Sequence, residues 1–81
     1  MSATIIGRDE VPAGSFRYGQ LASVEGFDVD PDYWAVCTDG CWREDGRKVI
    51  VAHFLHLTEE DALQCAANLS DAYRVVIVRP V

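Results

Sequence analysis

Three groups of residues have types and spacings that could do chemistry. Cys37-x3-Cys41 followed by His53-x2-His56 offers the four soft ligands of a zinc site. A zinc finger, however, sets its two histidines three to five residues apart on a helix. Here both fall in a stretch that reads as a strand, where an odd offset sends them to opposite faces. The two cysteines, four residues apart along a strand, sit about 13 Å from one another. That is too far to share a tetrahedral ion or to form a disulfide. With three cysteines in all, an odd count, the chain is expected to keep its thiols reduced and to hold no metal or other cofactor.

The second group, Asp28-x-Asp30-x-Asp32, imitates the opening of a calcium loop. Such a loop requires glycine at its sixth position and glutamate at its twelfth, where this chain has Tyr33 and Asp39, and its fourth position is Pro31. A solvated acidic loop is the expectation. The third group is Cys37 with His56, which an ideal hairpin places on one face, two rungs apart on the diagonal. A short thiol does not bridge that gap, and no third group orients the base. Scattered Gly7, Gly14, Gly19 and Gly26 make no phosphate loop. The chain is therefore not expected to be an enzyme.

These residues are positioned by a hairpin spanning Tyr33 to Leu57. Asp45-Gly46 is a two-residue turn flanked by strand-forming runs, with Asp39-Gly40 as a candidate bulge. Strict alternation from that turn pairs Trp42 with Val49, Val36 with Leu55 and Trp34 with Leu57. One face then collects Trp34, Val36, Trp42, Val49, Val51, Leu55 and Leu57. The other holds Tyr33, Ala35, Cys37, Asp39, Cys41, Ile50, Ala52, Phe54 and His56. That face is too apolar to be freely solvated, so the N-terminal segment, a second copy or a partner should cover part of it. On this register Trp42 is a core residue, and Trp42→Ala is expected to cost about 3–5 kcal/mol.

After the hairpin, Thr58 caps a helix whose first turn is Glu59-Glu60-Asp61, acids suited to the positive end of the helix dipole. Ala62, Ala66, Leu69 and Tyr73 form its apolar stripe, with Leu63 and Cys65 on the flanks. Arg74–Arg79 reads as a central strand, apolar on both faces, ended by Pro80. Upstream, residues 4–11 contain a short strand broken at Gly7, residues 12–15 a turn, and residues 16–21 an edge strand. The whole is expected to be a single α+β domain over residues 1–81. In it an antiparallel sheet, made of the long hairpin, the C-terminal strand and one or two N-terminal strands, packs on one helix.

No apolar run approaches the roughly 20 residues of a membrane span, and no signal-peptide pattern opens the chain. A cytoplasmic protein with no membrane contact is the expectation. Charge is more informative. The chain carries −6 in total, and residues 25–61 hold ten acids against three bases, a local −7. Such a surface repels nucleic acid, so direct DNA or RNA binding is not expected. The candidate partner-binding residues are Glu25, Phe27, Asp28, Asp30, Asp32, Tyr33, Asp39, Glu44 and Asp45: acids to pair with lysine and arginine, aromatics to anchor the contact.

One acidic domain with a few strands, one helix and no catalytic constellation resembles small phage and mobile-element proteins, particularly anti-CRISPR inhibitors. The features concerned are the Glu25–Asp32 loop, the Glu59-Glu60-Asp61 turn and the mixed face of the hairpin. That resemblance implies an inhibitor that occupies the basic, nucleic-acid-binding surface of a protein partner such as a CRISPR effector complex, as a monomer or a homodimer. The rival reading is a structural or accessory domain that homodimerises through its hairpin face.

Overall fold

The computed structural model describes residues 3–18, 27, 29–42, 46–69 and 74–81. Its elements are β1 (Thr4–Ile6), a 3-10 turn (Arg8–Glu10), β2 (Phe16–Arg17), β3 (Trp34–Trp42), β4 (Lys48–His56), α1 (Glu59–Ala67) and β5 (Arg74–Val78). The strands form one sheet in the order β1-β5-β3-β4-β2. The α+β architecture follows the sequence, and β5 is the internal strand its two apolar faces require, flanked by β1 and β3.

The sheet is mixed rather than antiparallel. β3 pairs antiparallel with both β4 and β5, but β1 runs parallel to β5 and β2 parallel to β4. No tight turn joins either N-terminal strand to its neighbour, so nothing local in the sequence sets their direction.

The register also departs from strict alternation, for a physical reason. Trp34 pairs with His56 and Val36 with Phe54, but Cys37 pairs with Ala52, leaving His53 as an extra residue on β4. Further on, Asp39 pairs with Ile50 and Cys41 with Val49, leaving Gly40 extra on β3. Gly40 takes φ +103°, a conformation that only glycine adopts at no steric cost, so the bulge expected at Asp39-Gly40 forms. Gly46, in the connection, has φ +81°. Its turn partner Asp45 lies outside the described residues.

Each bulge reverses the side to which the following residues point. Below the His53 bulge, Ile50 and Ala52 share a face with Ala35 and Cys37; beyond it Leu55 joins them, while Phe54 and His56 turn to the opposite side. The Gly40 bulge similarly sets Trp42 opposite Lys48, and the indole is 67% exposed. Trp42 is thus outside the core, and so is Leu57, 72% exposed.

Both faces of the sheet are covered. On one, Val36 and Ile77 pack with Ala62 of α1, flanked by Ile5, Trp34, Cys65, Ala66, Leu69 and Val75. Small side chains at 62 and 66 let the helix approach closely. Thr58 Oγ1 accepts from Asp61 N at 3.2 Å, the expected N-cap. Tyr73 lies outside the described residues.

On the other face, Ala35, Cys37, Ile50, Ala52, Val76 and Val78 are buried together with Val29, and Ile6, Val11, Phe27 and Leu55 close over them. The N-terminal segment is therefore what covers the second face. Among the described residues, the chain's own Ile6, Val11, Phe27 and Val29 thus lie against Ala35, Cys37, Ile50 and Ala52 of the hairpin.

The cover is pinned by polar contacts. Arg8 donates from its guanidinium to the carbonyls of Phe27 and Val29 and lies over the Phe27 ring, 5.5 Å from its centroid. Ser15, 1% exposed, accepts the Ile50 N–H at 3.1 Å. Removing that hydroxyl strands a buried donor, which costs about 1–3 kcal/mol. Ser15→Ala is expected to lower the chemical-denaturation stability by that amount, and an unchanged midpoint would contradict the pairing.

A candidate protein-binding pole

The register gathers charge in a way the linear sequence conceals. Trp34 opens β3 opposite His56, which closes β4, and Val78 closes β5 opposite Ala35. The residues before β3, after β4, after β5 and after β1 consequently meet at one end of the sheet. Two backbone bonds tie that end: Val81 N donates to the Pro31 carbonyl at 2.9 Å, and Arg79 N to the Ile6 carbonyl at 3.0 Å. Among the described residues it carries Asp9, Glu10, Asp30, Asp32, Glu59, Glu60 and Asp61, all exposed, against Arg8 and Arg79, a balance of −5. Arg8 is already committed to Phe27 and Val29.

Among the described residues the other end carries Asp39 against Arg47, Lys48 and Arg74, a balance of +2; Arg43, Glu44 and Asp45, which join β3 to β4 and sum to −1, lie outside them. A nine-residue strand separates the two poles by about 25 Å, some three times the screening length of about 8 Å at physiological salt. A partner at the acidic end feels that end's charge and little of the other's.

The sequence candidates divide across this arrangement. Asp30 and Asp32 lie at the acidic pole. The Asp30 carboxylate accepts the Asp32 N–H at 2.9 Å and its carbonyl the Tyr33 N–H at 3.1 Å, fixing a turn that presents both acids to solvent. Tyr33 is half-buried beside them. Phe27 is half-buried too, but its ring is occupied with the core and with Arg8. Asp39 lies at the far end, 3.8 Å from Lys48, in a surface pair of little energetic consequence. Glu25, Asp28, Glu44 and Asp45 are outside the described residues. Glu59, Glu60 and Asp61, read from the sequence mainly as helix-capping acids, join the pole because β4 ends there.

The chemically suggestive residues have other occupations. Cys37 is fully buried, and its thiol donates to the Ala35 carbonyl at 3.7 Å. Burial pushes its pKa up to about 12, so the nucleophilic thiolate is suppressed. His56 is on the opposite face of the sheet from Cys37, which separates the pair that alternation had aligned. His53 hydrogen-bonds Thr38 Oγ1 through Nε2 at 2.8 Å and stacks near Tyr18 with ring centroids 5.2 Å apart. Burial lowers its pKa, favouring the neutral ring. Among the described residues no three His, Cys, Asp or Glu side chains converge on a point where a metal ion could sit. Among them, too, no helix is long and apolar enough to cross a membrane.

Beside the pole runs an open groove of about 460 Å³ between β4 and α1, lined by Phe54, His56, Asp61, Gln64, Cys65, Asn68 and Leu69. Phe54 is 46% exposed there. No family model, curated protein or solved structure matches the chain.

Proposed function

We propose that this protein is a small acidic inhibitor that acts by occupancy, seating its acidic pole on a basic, nucleic-acid-binding surface of a protein partner. The observation that supports this reading most is the separation of charge among the described residues: −5 at the end built from residues 8–10, 30–32, 59–61 and 79, and +2 at the other. Charge spread for solubility alone needs no such polarity, whereas a charged end steers diffusional encounter with an oppositely charged surface. The resemblance to anti-CRISPR inhibitors makes a CRISPR effector complex the first partner class to try, with no catalytic step by this chain.

The test is DNA binding by a panel of purified effector complexes, each measured with and without the protein at low and physiological salt. Stoichiometric loss of DNA binding by an effector, weakening as salt rises, is the expected result. Unaltered DNA binding across the panel at low salt would overturn the proposal.

A further inference from the structure

The groove beside the acidic pole has a chemical character of its own. Its wall contributes the exposed Phe54 ring, its rim the Asp61 carboxylate, and its helix side the amides of Gln64 and Asn68. His56 also lines it, and among the described residues its buried Nε2 has no hydrogen-bond partner. A buried polar atom with no partner is uncommon in a folded protein, and it leaves His56 an acceptor that the fold itself does not use. Among the described residues no lysine or arginine lines the groove, so nothing in it competes for the carboxylate.

We propose that this groove receives an arginine side chain of the partner. This rests on the reading of the acidic pole as a docking surface, and it names what the partner inserts. A guanidinium is planar, so it stacks on Phe54 while its N–H groups fan out in one plane. Those donors match the acceptors present: the Asp61 carboxylate, the side-chain oxygens of Gln64 and Asn68, and, once the ring turns its buried edge toward the groove, His56 Nε2 with the proton on Nδ1. Lysine supplies the charge but neither the plane nor enough donors to reach all of them. The volume suits one long side chain and the backbone that carries it, and Glu59 and Glu60, in the same helical turn as Asp61, add to the attraction.

The experiment titrates isotopically labelled protein with N-acetyl-argininamide and, separately, N-acetyl-lysinamide, following backbone amides and the His56 ring by NMR. Saturable shifts at His56, Asp61, Gln64 and Asn68 are expected, with the lysine probe about two- to fivefold weaker. Phe54→Ala and Asp61→Asn should each remove the saturable response; both positions are exposed, and the Thr58 cap uses the backbone of Asp61, which Asn retains. Equal, non-saturating shifts spread over all acidic residues with both probes would overturn the inference, as would shifts that leave the groove untouched. Effector inhibition persisting without groove binding would remove this inference and leave the proposed function standing. Groove binding without effector inhibition would do the reverse.

Discussion

Between pH 9 and pH 12 this protein is expected to lose about 4 kcal/mol of stability through one side chain, Cys37. Its thiol is held in the fold at a pKa of about 12, against an ordinary value of 9.0, because the core around it cannot solvate a thiolate. The folded pKa lies above the unfolded one, so the contribution is fully present below pH 9 and drains away as pH rises toward 12. In that window the unfolded chain sheds the proton and the folded chain keeps it. The slope is about 1.4 kcal/mol per pH unit. Other groups titrate there as well, so the measurement is a difference: urea denaturation of wild type and Cys37→Ala at pH 8, 9, 10 and 11. The stability gap should shift steadily in favour of the alanine variant above pH 9. Parallel curves would mean that the thiol is accessible to water.

The second large effect concerns register. Ile77, on β5, is fully buried between the sheet and α1 beside Val36 and Ala62, and Ile77→Ala is expected to cost about 2–5 kcal/mol. Trp42→Ala, by contrast, should cost less than about 1 kcal/mol, since most of the indole is in water. Uninterrupted alternation from the Asp45-Gly46 turn implies a costly Trp42 instead. Denaturation midpoints of the two variants therefore discriminate directly between the bulged register and the ideal one.

Why that register was hard to read is visible in β4 itself. Lys48–His56 shows no clean alternation because its two halves use opposite parities: Ile50 and Ala52 join Leu55 on one face, and Val36 meets Phe54 on the other. A bulge at glycine announces itself, and Gly40 did. A bulge at His53 has no such mark, and its justification is tertiary: the Thr38 hydroxyl and the Tyr18 ring that hold the imidazole.

The helix is legible from Thr58 and its acids, and β5 from its unbroken apolar run, because both signals are local. The direction of β1 and β2 is not, since each pairs with a strand far along the chain. The same distance hid the acidic pole. Asp30, Asp32 and Glu59–Asp61 were visible as acids, yet only the pairing of Trp34 with His56 brings their loops to one end. That pairing also leaves Asp39 out.

This separation of poles gives the functional account its sharpest test. Asp30→Lys/Asp32→Lys and Glu44→Lys/Asp45→Lys each change the net charge from −6 by two reversals, to −2. The first pair alters the pole; the second alters the segment joining β3 to β4, at the opposite end of both strands. Inhibition of DNA binding would be measured for both variants on the effector that responds to the wild-type protein. The account requires Asp30→Lys/Asp32→Lys to lose inhibition while keeping its thermal melt, and Glu44→Lys/Asp45→Lys to inhibit like wild type. Retained inhibition in the first variant, or equal loss in both, would contradict it.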